Sequence, residues 1–442
     1  MDRKPIDRTR IDRRPIARTR VARTRIDRKW IVAAGAALAI VVAGAFSTLA
    51  GLLVGPLHEE LGWSRSAVGF GSLVNMVMYG ATAPFAAALM GRIGMRRVAT
   101  GALGLVGVGA LLATTMTAPW QFALYWGVLV GIGTGATATT FAATVTERWF
   151  VARRGLVAGL LTAASVVGQF VFLPLLSWVI DGWGWRAAAY GLALAAAGAL
   201  PLVYAAVRDP RAAPRTRTIP PPPVNFLRSG AFWLLAGTFA VCGASTNGVM
   251  WTHFAPAAHD HGMPTTVAAS LLSLIGIFNV AGTVASGWAT DRMDPRRLLA
   301  TYYALRGVSL LALPLLLSAS VNPPLVAFTV AFGLLDVATV PPTIALARAH
   351  FGSAAPVVFG WVSAAHQVGA GSVAYVGSAV RDVFGSYDMV WVGAGVLCAV
   401  AALGALVIGR GEPRATSSSS GDPRRAVPTA DPQRPASTGL QR

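Results

Sequence analysis

The chain has 442 residues, 54% of them apolar and only 12% charged, with a net charge of +19. A soluble domain carries about twice that share of charge, which excludes an ordinary soluble fold. The basic residues sit in short loops between apolar stretches and in a tail rather than in a groove or on one folded face, so anionic lipid headgroups and not nucleic acid are the expected counter-charge.

Residues 1–30 repeat variants of Ile6-Asp7-Arg8-Thr9-Arg10 and Ile16-Ala17-Arg18-Thr19-Arg20. They are too charged for the apolar core of a signal peptide and read as a basic cytoplasmic tail, disordered or on the membrane surface, or as sequence upstream of the true start. Twelve apolar stretches follow, at 31–56, 67–90, 96–116, 120–142, 154–178, 186–207, 232–256, 266–290, 297–319, 323–347, 356–380 and 386–409. Each approaches the ~20 residues that a helix needs to cross the hydrocarbon, whereas a barrel would show short alternating segments. The expected fold is an all-α polytopic membrane protein with twelve transmembrane helices in two pseudo-symmetric six-helix bundles. Its parts are an N-terminal bundle at 31–208, a central cytoplasmic loop at 209–230, a C-terminal bundle at 231–410 and a disordered tail at 411–442.

With the first span entering from the cytoplasm, Arg92, Arg96, Arg97, Arg148, Arg153, Arg154, Arg292, Arg296 and Arg297 share one side with the central loop and both tails. The opposite loops hold only Arg65, Arg186 and Arg381. This bias places both termini in the cytoplasm of a plasma membrane.

Along the spans, Asn75 and Tyr79 (span 2), Gln169 (span 5) and Asn279 (span 8) offer hydrogen bonds to a cavity, or to neighbouring helices, without net charge. Gly127, Gly131, Gly133 and Gly135 in span 4 lack the strand–turn–helix context of a dinucleotide loop and instead permit close helix contact. Asn247, Trp251 and His253 lie toward the outer end of span 7, where they contact a solute, close an outer mouth, or serve as interface anchor and packing. His259, Asp260 and His261 are consecutive and define no rigid metal cage, and the chain offers no nucleophile–base set, so neither an enzyme nor a metal site is expected. Cys242 and Cys398 fall inside spans as small packing residues.

Arg306 in span 9 and Asp336 in span 10 are full charges deep in hydrocarbon, costly unless paired or hydrated. They read as a structural pair, as a coupling or gating element, or, for Arg306, as a receptor for a substrate carboxylate. His366, mid-span 11, is a chemically sensible proton carrier, or else a neutral histidine within helix packing. Asp291, Arg292, Arg296 and Arg297 form a candidate cytoplasmic latch, and Glu147 with Arg148 a second one or a solvated surface.

The chain repeats itself. Gly91-Arg92-Ile93-Gly94-Met95-Arg96-Arg97 returns as Asp291-Arg292-Met293-Asp294-Pro295-Arg296-Arg297. Phe150, Gly159, Ala164 and Gly168 match Phe351, Gly360, Ala365 and Gly369, and Asp181 and Gly184 match Asp382 and Gly385. Six spans per half relate the halves by an axis along the membrane normal, with a solute site between them and a proline run, Pro220 to Pro223, at the boundary.

The 291–297 loop and its first-half counterpart resemble the signature of the major facilitator superfamily. Gly62-Trp63-Ser64-Arg65, Arg153-Arg154-Gly155-Leu156-Val157-Ala158-Gly159 and Asp382-x-x-Gly385-Ser386-Tyr387 look most like its prokaryotic monocarboxylate-porter branch, near the oxalate/formate antiporters. Two departures stand out: Gly91 replaces an acidic residue in the first-half loop, and Asn279 and Thr283 stand where that branch often has an acid and an arginine. The resemblance implies a monomeric secondary transporter of a small organic anion, with no cofactor and a proton as plausible coupling ion. The alternatives are a facilitator or exporter of a neutral or amphipathic metabolite, or a membrane receptor that moves no solute.

Overall fold

The computed structural model describes residues 16–137, 139–150, 154–210 and 224–409. Expectations for the extreme amino tail, Arg153, most of the central loop and the carboxyl tail lie outside these residues. The described residues up to Ile408 belong to one compact unit.

Among the described residues twelve helical rods follow one another: α1 (Ile16–Leu61), α2 (Arg65–Ile93), α3 (Met95–Ala113), α4 (Pro119–Ala136 and Thr139–Trp149), α5 (Arg154–Phe170 and Phe172–Trp183), α6 (Trp185–Ala206), α7 (Gly230–Asp260), α8 (Thr265–Thr290), α9 (Pro295–Leu316), α10 (Pro323–Asp336 and Val340–Phe351), α11 (Ala355–Phe384) and α12 (Asp388–Val407). α1 begins at Ile16, well before the boundary drawn at residue 30. Among the described residues ten of these rods are individually long and apolar enough to cross a membrane, and α2 is an eleventh when its segments Arg65–Ala83 and Phe85–Ile93, bent by 51° from one another, are taken together. α11, the twelfth expected span, has the length but not the apolarity, because adjacent His366 and Gln367 lie at its middle. That helix packs against α2 and α7 inside the protein, where polar groups have partners other than lipid.

Caps explain several starts. Ser64 accepts a hydrogen bond from Ala67 N at 3.2 Å, Asp294 from Arg296 N at 2.9 Å, and Asn322 from Leu325 N at 2.8 Å. Proline occupies the first turn of α9 and α10, where its missing N–H costs nothing. Leu194, Val284, Leu315 and Leu403 are each at least two-thirds exposed, an apolar outer surface suited to lipid.

The sequence repeat is a repeat of close contacts. Any Cβ on Gly168 would strike the backbone of Val41 in α1, and one on Gly369 would strike that of Ala240 in α7. Gly131 faces the Asn75 backbone and Gly333 the Ile275 backbone in the same way, joining α4 to α2 and α10 to α8. Small residues let these helices approach to backbone distance, which replaces the hydrophobic drive that lipid removes. The expectation for span 4 holds, with Gly127 and Gly135 facing α2 and Gly133 facing α3.

Candidate functional site

A cavity of about 110 Å³ lies between the halves. From the first half it is lined by Ser47 and Gly51 of α1, Ser72, Asn75 and Tyr79 of α2 and Gln169 of α5; from the second by Asn247, Trp251 and Thr252 of α7 and Gln367 of α11. The structure thus brings together Asn75, Tyr79, Gln169, Asn247 and Trp251. Asn75 donates its amide to Trp126 O at 2.8 Å, which fixes the side chain and spends a donor on α4. Near Asn247 the α7 helix is wound wider over Ala244–Gly248, and the carbonyl of Asn247 accepts from Thr252 Oγ1 at 2.7 Å. Such widened turns occur often at functional sites because they re-aim side chains within a span. Among the described residues no Asp, Glu, Lys, Arg or His lines this space, so its chemistry is neutral hydrogen bonding beside an aromatic wall.

Asn279, Arg306, Asp336 and His366 do not line the cavity. They belong to a buried polar cluster within the second half. Arg306 is fully buried, and its guanidinium is directed at main chain: Nη2 donates to Leu335 O at 2.5 Å and Asp336 O at 2.6 Å, and Nη1 to Ser245 Oγ at 3.3 Å and Cys242 Sγ at 3.4 Å. Those carbonyls end the first segment of α10, which breaks over 337–339. Arg306 therefore caps a helix C-terminus, where cations are favoured. Among the described residues no ion pair forms between its guanidinium and the Asp336 carboxylate; the carboxylate Oδ2 accepts from Asn279 Nδ2 at 3.1 Å instead. Trp251 also approaches this carboxylate as a donor, so one indole borders both the cavity and the cluster. The His366 ring packs beside Phe239 with centroids 4.9 Å apart, and its Nδ1 has no hydrogen-bond partner. Its neighbour Gln367 takes the place at the cavity.

His253 is fully buried against α11, with Nε2 3.4 Å from Val373 O and the Tyr387 ring 5.2 Å away. It packs helices and does not reach the cavity.

On the basic face, the second-half latch residues find partners on their own helices. Arg292 Nη1 donates to Trp288 O at 3.0 Å and stacks 4.3 Å over that ring, Arg296 is tied through its backbone to Asp294, and Asp291 and Arg297 are exposed. Glu147 is exposed as well, whereas Arg148 donates to Met90 O at 3.3 Å and lies 3.9 Å from Asp209. Asp209 was not anticipated. It follows α6, accepts from Met95 N at 2.7 Å, and supplies at the start of α3 the carboxylate that Gly91 lacks. With Arg92, Arg96, Arg97 and Arg148 it lines a basic pocket of about 470 Å³.

On the opposite face, repeat-related carboxylates join the halves. Asp382 at the end of α11 accepts from Arg65 N at 3.1 Å and Ser66 N at 2.7 Å, capping α2. Asp181 at the end of α5 accepts from Thr266 Oγ1 at 2.5 Å, in the first turn of α8. Each half thus presents an acid to a helix start of the other. The matched positions Asp181 and Asp382 were visible in the sequence, but not that they face across the interface.

The sequence model described as the Major Facilitator Superfamily matches residues 36–320 and, overlapping, 243–437. Monocarboxylate transporter 13 of Bos taurus is 31% identical over 322 residues, 71% of this chain and 73% of its own. Monocarboxylate transporter 11 of Mus musculus is 28% identical over 75% of this chain and 72% of its own. Among solved structures, the inward open xylose transporter XylE from E. coli superposes with a TM-score of 0.65 at 15% identity, over 88% of this chain and 98% of its own. An inward-facing bacterial homolog of the human lysosomal transporter Spinster gives 0.67 at 15% identity, over 89% and 97%. These two show the fold, while the family match and the mammalian relatives carry the assignment. The chain is a membrane transporter and belongs to the major facilitator superfamily.

Proposed function

We propose that the chain carries a small monocarboxylate by alternating access, together with a proton. The observation that carries this reading is the cavity between the halves, small and polar but without a charged side chain. A lone carboxylate would lose its hydration there without a cation to meet it, whereas an acid accompanied by a proton crosses as a neutral load. The names of the mammalian relatives support a monocarboxylate. The volume, well below the ~300 Å³ at which drug-sized pockets begin, supports a small one. Asn75, Tyr79, Gln169, Asn247 and Trp251 are the proposed contacts, and rocking of the halves about the Asp181 and Asp382 contacts is the proposed motion. We place the protein in a prokaryotic plasma membrane as a functional monomer with cytoplasmic termini. The Arg-lined pocket at Asp209 then faces anionic headgroups.

The same uncharged lining favours a second reading, transport of a neutral or amphipathic metabolite. Counterflow in vesicles containing the purified protein separates the two. Exchange of radiolabelled lactate or pyruvate, competed by short acids and not by their amides, supports the first reading; competition by the amides alone supports the second.

A further inference from the structure

We propose that Asp336 is the carboxylate that takes up the transported proton, and that Trp251 links its charge to the solute cavity. This rests on the proton-coupled reading above and assigns its proton site. Asp336 is 2% exposed, at the end of a broken helix inside the bundle. A permanent negative charge at such depth is costly unless it is fully matched. The match here is incomplete: Oδ2 receives one amide hydrogen bond from Asn279 of α8, the Trp251 indole approaches the carboxylate as a donor, and Oδ1 is buried without a hydrogen-bond partner.

The ionisable groups facing Asp336 are Arg306 of α9, Cys242 of α7 and His366 of α11. Arg306 donates to the Asp336 main chain, yet its Nη atoms are held by two main-chain carbonyls, a hydroxyl and a thiol and not by the carboxylate. The guanidinium is thus balanced by oxygen dipoles when Asp336 is neutral, and by a nearby charge when it is not. Both protonation states have a supporting environment, which a fork-like guanidinium–carboxylate pair would deny to the neutral acid. The proton joins a carboxylate oxygen from one face and leaves that oxygen to the other, with no bond change elsewhere.

Trp251 connects this site to the solute. Its indole borders the cavity and approaches the carboxylate as a donor. A solute that shifts the indole alters the donor available to Asp336, and by linkage protonation of Asp336 alters solute affinity by the same factor. His366, with its ring against Phe239, is the competing carrier.

The test uses the purified full-length chain in vesicles. Infrared titration of the parent without solute is expected to show a protonated-carboxyl C=O band that disappears at high pH and is missing in Asp336→Asn. A titrating band unchanged in Asp336→Asn overturns the assignment. With radiolabelled lactate, Asp336→Asn is expected to lose about tenfold or more in pH-driven accumulation, while counterflow at equal pH falls less. An Asp336→Asn protein that keeps the parent's proton-to-lactate ratio, or a His366→Gln protein that alone loses it, overturns the proposal. Trp251→Phe retains an aromatic wall without the N–H, and is expected to shift the Asp336 band; an unmoved band removes Trp251 from the link. Failure of the underlying function would show in the parent, as lactate movement indifferent to pH, and failure of this proposal as a coupled Asp336→Asn.

Discussion

Arg306 shows how a buried guanidinium is held by main-chain and side-chain dipoles and not by a direct salt bridge. Two carbonyls at the α10 break, a hydroxyl and a thiol share its guanidinium, and only a planar fork reaches all of them. Arg306→Lys should lose roughly 2–3 kcal/mol of stability, since one ammonium cannot replace the two-armed contact. Exchanging Arg306 with Asp336 should not restore it, because the main-chain carbonyls stay where they are. Thermal unfolding in detergent measures both, and full rescue by the exchange would restore the simple ion-pair account. A second residue-scale expectation concerns glycine: Gly369→Ala meets the Ala240 backbone and should cost about 1–3 kcal/mol by overpacking, whereas Gly360→Ala meets open space and should be nearly neutral. Equal melting temperatures for the two variants would contradict that packing.

At the scale of elements, the breaks in α4 and α10 fall at corresponding places of the repeat but are satisfied differently. Thr134 and Thr137 turn their hydroxyls onto carbonyls of their own helix in α4, while α10 borrows Arg306 from α9. The sequence revealed the depth of Arg306 and Asp336 but not this break, because hydropathy reads 323–347 as one continuous span. For the same reason it missed that Asn279 turns to Asp336 and not to the cavity. The uncharged residues Asn75, Tyr79, Gln169 and Asn247 are polar groups in apolar spans, and the cavity is where they converge. Across the interface, Asp382 caps α2 and Asp181 meets the start of α8. A carboxylate at a helix N-terminus contributes about 0.3–1 kcal/mol, so Asp382→Asn should shift the balance toward separation of that face by up to about fivefold. Asp181→Asn should add to it approximately independently. Spin-label distances between the outer ends of α5 and α8 measure the shift, and unchanged distributions in the double variant would show that these contacts do not hold the face closed.

For the whole molecule, span lengths and the repeat made the helical architecture legible in the sequence. α11 was legible as an apolar stretch at 356–380, although its central His366 and Gln367 lower its apolarity below that of the other spans. The replacement of the first-half acid by Asp209 was not legible, because the two segments meet only after α3 to α6 have packed. The central claim is that a cavity without charge moves an acid and a proton as one neutral load. Its most direct test is radiolabelled lactate uptake into vesicles of the purified protein, under a pH gradient alone and under a membrane potential alone. The account predicts accumulation on the alkaline side driven by the pH gradient, and none driven by the potential. Accumulation driven by the potential without a pH gradient would contradict it.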